Sequence, residues 1–446
     1  MNQFENSQKK SLDILIQLTQ NESVFGVLHG FRREELSLKG DIDICCLDID
    51  IFLNELKECI LLNRGTLVTE NKHFGGGVVL TGVFEENDYE TFRYDIYENP
   101  MLASNLTFPK MYFSEDKANF LNNREIVHDI YCVNAKYEFI HYFKRKIIKQ
   151  DFTNEVRNYS LFLYGLVDDA EDIIKKNLNL YANDYINFLK NGTIEKIKKI
   201  EIFEYLTNKL EAENKVKKIP FYLTIAKRLA RLIKGKKGTH IAFLAPDGAG
   251  KTTVIEGLYK KDKIFGSLDY FHLRPTLLPA YSAKARDERE NNEFMPHSSS
   301  PYRFPLNIMK YLALVFDYSI GYYLKIFPKL YSNNLVVSDR YFYDLFIDPA
   351  RFRLKKLSFF MFIFNYFIPK PDVVYALLAD PEEIISRKQD LTLQAINDQN
   401  NIIKSLEGKY KNIIFIDANQ SPSNVFNDVF QDVVKRHSLK YFKKQS

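Results

Sequence analysis

One segment restricts the fold of this 446-residue chain more than any other: a glycine-rich run between an apolar run and a helical pattern. The apolar run is 240–244 (HIAFL), the glycine-rich run is 245–253 (APDGAGKTT), and the helical pattern begins at Val254. A strand, a loop and a helix in this order are what a phosphate-binding loop requires. The alternative interpretation is a glycine-rich turn that carries Lys and Thr by chance.

The side chains of this loop predict a nucleotide and a metal ion as ligands. Gly248 and Gly250 permit a close backbone approach that a Cβ would block, so loop N–H groups and the helix N-terminus can face phosphate oxygens. Lys251 would bring positive charge to the β- and γ-phosphates, and the Thr252 hydroxyl would ligate Mg²⁺. ATP and Mg²⁺ are the expected ligands, and the cradle is Ala245, Pro246, Asp247, Gly248, Ala249, Gly250, Lys251, Thr252 and Thr253.

The pattern after residue 238 indicates an α/β domain. Apolar, β-like runs lie at 239–244, 270–273, 335–337, 373–378 and 412–416, with helical stretches between most of them. Strands separated by helices predict a parallel sheet covered on both faces.

Two further segments supply charged side chains for the same chemistry. Asp339 ends one β-like run, where a sheet of this kind presents a carboxylate to Mg²⁺ or its water shell. Arg340 follows and can offer a bidentate fork to an anion. Arg387 and Lys388 lie about a turn beyond Glu382, where a lid could place charge against a transferring phosphoryl group. A surface ion pair and a solvated helix face are the respective alternatives.

Together these segments resemble the thymidylate kinase family of P-loop kinases. The resemblance rests on residues 247–253, 339–341 and 387–388, and covers about the last 209 residues. It implies a three-layer domain with a five-stranded parallel sheet, and transfer of the ATP γ-phosphoryl group to an acceptor. It also implies that Asp247 positions the acceptor, that Arg340 contacts it and that Ala418-Asn419 lies near the adenine. The residues expected to act in catalysis are Lys251, Asp339, Arg340, Asp247 and Arg387.

The segment expected to bind the acceptor differs from that family. Thymidylate kinases carry Arg-Glu-Pro-Gly-Gly after the second strand, whereas residues 271–275 here are Phe-His-Leu-Arg-Pro. A nucleotide, a sugar and a polysaccharide precursor therefore stay open as acceptors. Candidate acceptor contacts, each with a structural role as the alternative, are Arg274, His297, Asp317, Asp344 and Arg351.

A second constellation lies near the N-terminus. Gly30 follows a short apolar run, Asp41 and Asp43 alternate on a predicted strand, and Asp95 lies on a later one. Carboxylates at i and i+2 of a strand share a face, and a third can join them to hold two Mg²⁺ ions. This resembles the polymerase-β-type nucleotidyltransferase superfamily, in active form or as a substrate-binding remnant. Asp48 and Asp50 have the same spacing, but Asp50 is expected to cap a helix.

These patterns predict four regions. Residues 1–110 would form an α+β nucleotidyltransferase-like domain, 111–212 a helical region attached to it, 213–237 a basic linker helix and 238–446 the kinase-like domain. Within the helical region, the basic run 144–146 could approach phosphates, with a solvated face as the alternative.

Composition excludes several classes of protein. With 62 basic and 57 acidic residues, we expect no dedicated nucleic-acid binding. The four cysteines lack zinc or redox spacing, and the N-terminal residues lack a signal-peptide pattern. The apolar run 308–330 is interrupted by charged residues, and the apolar run 357–368 is too short to span a membrane. We therefore expect a cytoplasmic protein without a transmembrane segment, and a homodimer as one form of assembly.

Two functional hypotheses follow, and a non-catalytic scaffold is a third. The first is an ATP-dependent phosphotransferase that acts on a nucleotide or another small acceptor, fused to a nucleotidyltransferase-like domain. The second is a P-loop ATPase or ATP-sensing module that regulates an N-terminal nucleotidyltransferase.

Overall fold

The computed structural model describes residues 9–32, 41–72, 76–85, 89–104, 110–114, 117–220, 222–223, 225–226, 238–277, 301–331, 333–355, 357, 365–387 and 392–442. The chain divides into two units, Met1–Ala230 and Arg231–Ser446, and each is described by itself. In the described part of the chain, no helix combines the length and the apolar character needed to cross a membrane.

The strands of the N-terminal unit form a seven-stranded mixed sheet and a three-stranded sheet. The large sheet has the order β3-β4-β5-β2-β1-β9-β8, and the small one has the order β10-β7-β6. The strands are β1 (Phe25–Val27), β2 (Ile42–Cys46), β3 (Gly65–Lys72), β4 (Val78–Phe84), β5 (Glu90–Tyr97), β6 (Met101–Ser104), β7 (Lys110–Phe113), β8 (Glu125–Val127), β9 (Ile130–Cys132) and β10 (Val216–Lys218). Strand β2 lies between β1, antiparallel to it, and β5, parallel to it.

Eight helices of this unit lie within the described residues. They are α1 (Lys9–Gln20), α2 (Ile49–Leu62), α3 (Lys117–Asn122), α4 (Ala135–Ile148), α5 (Asn154–Leu166), α6 (Ala170–Leu178), α7 (Ala182–Asn191) and α8 (Lys196–Ala212). Helices α4 to α8 share one apolar core, which includes the fully buried Phe139, Phe143 and Leu206. Residues typical of helix ends mark where several of these helices begin or end. Asn134 and Thr153 cap the N-termini of α4 and α5, and Gly192 ends α7 in the left-handed conformation with φ 79°.

The structure departs from the sequence predictions at two places in this unit. Residues expected to be helical form the hairpin β8–β9, because His128 and Asp129 both adopt positive φ, 50° and 63°, and so make a tight reversal. Strand β9 then adds to β1 in parallel. Strand β10 pairs with β7, so the chain as far as Lys218 belongs with this unit, beyond the expected end of the helical region at residue 212.

The C-terminal unit has the five-stranded, all-parallel sheet that the sequence predicted. The strands are β11 (Thr239–Leu244), β12 (Leu268–His272), β13 (Leu335–Asp339), β14 (Val373–Leu378) and β15 (Ile413–Asp417). Their order is β12-β13-β11-β14-β15, and every neighbouring pair is parallel. The first strand of the unit, β11, is thus central. The chain first forms β12 and β13 on one side of β11 and then β14 and β15 on the other side. Such a point opens a crevice at the carboxyl ends of the strands.

Helices cover this sheet on both faces. They are α9 (Lys251–Lys260), α10 (Leu306–Gly321), α11 (Phe327–Tyr331), α12 (Asp344–Ile347), α13 (Pro381–Arg387), α14 (Leu393–Lys404) and α15 (Pro422–Phe442). One core cluster joins the sheet to α10 through residues such as Leu244, Tyr318 and Tyr341. Helix α15 packs closely on α9, where a Cβ at Gly257 would lie 2.5 Å from the Phe426 ring. Helix α9 begins at Lys251 and β11 ends at Leu244, and the loop 245–250 joins them.

Candidate functional site

The loop between β11 and α9 has the backbone that its glycines predicted. Gly248 and Gly250 both have φ 92°, a left-handed conformation in which a Cβ costs about 1–2 kcal/mol per residue. A Cβ at Gly250 would find no atom within 4 Å, so it would project into open space. Ala245 is not among the residues with positive φ, and it is buried. Alanine in place of the usual first glycine therefore adds a methyl group without backbone strain.

Lys251 lies inside this loop. Its ammonium donates to the carbonyl oxygens of Ala245 and Pro246, both at 3.0 Å. Its side chain is 8% exposed, and burial, followed by the charge of Arg340, lowers its pKa to about 8. The lysine is thus a poorly solvated cation that is still mostly protonated at pH 7. A phosphate group in the loop would supply the counter-charge that water does not.

Asp339 lies at the carboxyl end of β13, next to the loop. Its Oδ2 accepts from the Tyr270 hydroxyl at 3.1 Å and lies 3.4 Å from the His272 ring. Burial raises the pKa of Asp339, but the hydrogen bond from His272 and the charge of Lys251 outweigh it, so its pKa lies below the ordinary value. Its Oδ1 is buried and has no hydrogen-bond partner in the described part of the protein.

An ionised, unpartnered carboxylate oxygen fits a hard cation or a water bound to one. Within the described residues, no group of three or more His, Cys, Asp or Glu side chains is arranged to hold a metal ion by itself. Mg²⁺ does not need such a group, because it commonly takes one or two protein oxygens together with phosphate oxygens and water. Asp339, with Thr252 in the same cleft, therefore fits Mg²⁺ that arrives with a nucleotide.

Asp247, at the tip of the loop, lies between two arginines. Arg340, which has φ 69°, donates to Asp247 and, at 2.7 Å, to Asp344. Arg351 donates to Asp247 at 2.5 Å and to Asp348 at 3.3 Å. Burial raises the pKa of Asp247, but Arg340, Arg351 and Lys251 together outweigh it and hold that pKa well below its usual range. Asp247 is therefore ionised throughout the physiological pH range.

These groups border one cleft of about 530 Å³. It brings together side chains that are far apart in sequence: Asp247, Gly248, Ala249, Gly250, Lys251, Thr252, Thr253, Val254, His272, Asp339, Arg340, Arg351, Arg387, Ala418, Gln420, Pro422 and Val425. Arg387 reaches it from α13, where Glu383 accepts from its guanidinium at 3.0 Å. The sequence interpretation missed Gln420, Pro422 and Val425. Their position directly after the last strand, at the start of α15, could have indicated them.

The other candidate acceptor contacts are engaged in structural pairs or lie outside the described residues. Arg274 donates to Asp317 at 2.5 Å, and Asp317 also accepts from the Leu277 N–H at 2.6 Å. Asp317 is completely buried, so this pair ties the segment after β12 to α10. His297 and Lys388 lie outside the residues that the structure describes.

In the N-terminal unit, the predicted aspartates lie on neighbouring strands. Asp43 of β2 and Asp95 of β5 are direct partners in the parallel register. Arg145 of α4 donates to Asp43 Oδ2 at 3.1 Å, and Arg93 Nε lies 3.1 Å from Asp95 and 3.3 Å from Asp41. The register therefore brings the acidic residues together, but a guanidinium group already lies beside each of them.

A metal pair does not fit this cluster as it stands. Within the described part of the chain, the three aspartates do not form a group that could hold a metal ion, although Asp43 Oδ1 is buried and unpartnered. Arg145 also contacts the His29 ring at 3.1 Å, and burial, followed by the charge of Arg145, lowers the His29 pKa to about 3. Because the His29 imidazole is neutral at pH 7, Arg145 is the cation that lies nearest to Asp43.

The turn after β1 is anchored from the helical region. Gly30 has φ 96°, and its N–H donates to Glu138 Oε1 at 3.1 Å and to the Tyr159 hydroxyl at 2.7 Å. This N–H thus points toward α4 and α5.

Asp48 and Asp50 have the same spacing as Asp41 and Asp43, and the sequence predicts Asp50 as a helix cap. In the structure, Asp48 rather than Asp50 caps α2, because Asp48 Oδ1 accepts from Asp50 N and Ile51 N, both at 3.0 Å.

Comparisons with known proteins find similarity among solved structures, for part of the chain. No protein-family model matches it, and no curated protein matches it. Among solved structures, it is similar to the crystal structure of thymidylate kinase from Ehrlichia chaffeensis. That alignment has 15% identity, covers 44% of this chain and 98% of that one, and has a TM-score of 0.30.

Proposed function

We propose that the C-terminal unit is an ATP-dependent phosphotransferase, which moves the γ-phosphoryl group of ATP to a small acceptor with Mg²⁺. The observation that carries this proposal is that one cleft holds both the lysine-bearing loop and a second cluster of charged groups, Asp247, Arg340 and Arg351. A protein that only bound phosphate would need the loop alone. A transferase needs a second place beside it for the acceptor.

The proposed roles follow from charge and position. Lys251 and the loop N–H groups bind the phosphates, and Arg387 faces the same cleft, where it neutralises charge that spreads over the transferring group, while Arg340 holds Asp247. Thr252 and Asp339 would hold Mg²⁺, which would screen the phosphate oxygens. Asp247 is the carboxylate available to orient the acceptor. This is a positioning and electrostatic mechanism, as phosphoryl transfer generally is.

For the N-terminal unit we propose a nucleotidyltransferase-like body that binds a substrate or regulates the kinase. Asp43 and Asp95 as direct neighbours on parallel strands support the likeness. The pairing of Asp43 with Arg145 leads us to assign no metal-dependent step to this unit. In the alternative arrangement, the C-terminal unit hydrolyses or senses ATP and regulates chemistry in the N-terminal unit.

Paired substitutions separate the two arrangements. The full chain is incubated with ATP labelled at the γ-phosphate and a panel of nucleosides, nucleoside monophosphates and sugars. Lys251→Ala should abolish labelling, whereas Lys260→Ala, an exposed lysine of α9, should not change it. If Asp43→Ala removes all chemistry while Lys251→Ala only modulates it, the kinase proposal is wrong.

Nucleotide binding provides a measurement that does not depend on the acceptor. ATP with Mg²⁺ should raise the melting temperature of the wild-type chain, and the shift should grow with ligand concentration, because a ligand that binds only the folded state stabilises it. Lys251→Ala should lose the shift and Lys260→Ala should keep it. No shift in the wild type at millimolar ATP would refute nucleotide binding altogether.

A further inference from the structure

Each of the three arginines that the sequence predicts as acceptor contacts is already paired. Arg274 pairs with Asp317, and Arg340 pairs with Asp344 as well as Asp247. Arg351 pairs with Asp348 and with Asp247. Among the described residues, three guanidinium groups thus face four carboxylates, and with the Lys251 ammonium 3.9 Å from Asp247 the charges of these groups sum to zero.

The carboxylates that neutralise these arginines cannot turn away to water. The side chains of Asp317, Asp344 and Asp348 are 0%, 1% and 6% exposed. If an incoming phosphate drew an arginine away, a buried carboxylate would lose its partner, and breaking a buried pair costs about 3–5 kcal/mol. A phosphate monoester carries about −1.5 to −2 charges at pH 7. None of these three arginines can therefore bind such a group without leaving a buried carboxylate unpaired.

Asp247 differs from the other three carboxylates. Its side chain is 26% exposed and borders the cleft, 3.9 Å from the Lys251 ammonium. Arg340 and Arg351 hold it from both sides and fix where its oxygens point. An ionised carboxylate accepts hydrogen bonds and donates none. Its natural partner on an acceptor is consequently a hydroxyl group, which donates, and not a phosphate oxygen.

We propose, on the basis of the phosphotransferase function above, that the acceptor is an alcohol group of an uncharged molecule such as a sugar or a nucleoside, and not a phosphate monoester. The hydroxyl donates its hydrogen bond to Asp247. Its oxygen forms a bond to the γ-phosphorus while the bond from that phosphorus to the β,γ-bridging oxygen breaks. ADP leaves with the electron pair, and the hydroxyl proton passes to Asp247 and then to solvent. Because bonding between the acceptor oxygen and the phosphorus is weak in a loose transition state, a weakly basic carboxylate such as Asp247 suffices to accept the hydroxyl proton.

Matched pairs of acceptors test this proposal. The full chain is given labelled ATP, Mg²⁺ and either thymidine or dTMP, and either glucose or glucose 6-phosphate, at constant ionic strength. We expect at least one alcohol to have a kcat/KM tenfold or more above that of its monophosphate. A monophosphate that is the better substrate of its pair would overturn the inference, and so would failure of every acceptor while ATP still binds. Failure of ATP to bind would instead overturn the underlying phosphotransferase function.

Variants locate the cause of the preference. Asp247→Asn should lower kcat for the alcohol at least a hundredfold while the ATP-dependent thermal shift stays, whereas Asp398→Asn, at an exposed position of α14, should change neither. Asp348→Asn removes one carboxylate from Arg351 and should raise the monophosphate-to-alcohol ratio of kcat/KM about tenfold, equivalent to about 1.4 kcal/mol. A ratio unchanged by Asp348→Asn, or an alcohol kcat unchanged by Asp247→Asn, would contradict the proposal.

Discussion

Arg274→Met should destabilise the C-terminal unit by about 3 kcal/mol, because it leaves a buried carboxylate without its cation. Asp317 is completely buried, and only 17% of the Arg274 side chain is exposed. Removing one partner of a buried ion pair costs about 3–5 kcal/mol in general. The Leu277 N–H still donates to Asp317 Oδ1 at 2.6 Å, so we expect the lower end of that range. Methionine keeps much of the arginine stem's apolar packing.

The double variant Arg274→Met/Asp317→Leu provides the control. Replacing a whole buried pair with apolar groups is often neutral, so it should recover about 2 kcal/mol of the loss and leave about 1 kcal/mol for the unsatisfied Leu277 N–H. The chain has no tryptophan, and Tyr259 is 43% exposed, so Tyr259→Trp gives a fluorescence reporter confined to this unit. Urea titrations in that background measure the free energy of unfolding.

Two results would refute this reasoning. One is a loss below about 1 kcal/mol for Arg274→Met, which is the range of an exposed ion pair. The other is a double variant as unstable as the single one, which would mean that lost packing and not the unpaired carboxylate is responsible. Either result would return Arg274 to the set of residues free to contact an acceptor, and would weaken the charge balance from which we infer an alcohol.

Three other predictions concern the loop, a buried histidine and the N-terminal cluster. Gly250→Ala should reduce the ATP-dependent thermal shift, because φ 92° strains alanine by about 1–2 kcal/mol and its methyl group enters the cleft; an undiminished shift would count against the cradle. Burial, followed by the charge of Lys440, lowers the pKa of His437 from 6.5 to about 3, so its stabilising contribution is present above pH 6.5 and declines as pH falls toward 3. Between pH 7 and pH 5, urea titrations should show the free energy of unfolding fall by about 2 kcal/mol for this reason. The variant His437→Gln should lack this loss of stability. If the variant retains it, the interpretation is wrong. Arg145→Met should destabilise the N-terminal unit by about 3 kcal/mol, and Mn²⁺ should stabilise this variant but not the wild type; equal Mn²⁺ effects would show that Arg145 does not exclude a metal ion from Asp43.

The sequence anticipated the features of the site that are encoded locally. The loop 245–253 has the predicted backbone because glycines stand where it needs positive φ, and because a strand and a helix flank it directly. Asp339 was placed correctly at the end of a strand, since an apolar run and its terminus are visible in sequence. The hairpin of β8 and β9 was missed, because positive φ at His128 and Asp129 replaces the glycine that usually announces such a turn.

What the sequence alone determined is therefore the backbone of the loop, the parallel sheet that carries it and the identity of the charged residues. Only the tertiary structure decided which of these charges remain available. Asp317 follows Arg274 by 43 residues, Asp247 precedes Arg351 by 104, and Arg145 follows Asp43 by 102. Pairings at such separations depend on how strands and helices pack, and burial then decides whether a charge must keep its partner. That physical constraint is what turns Arg340 and Arg351 from candidate acceptor contacts into the support of one carboxylate, Asp247, and what keeps Arg274 on Asp317.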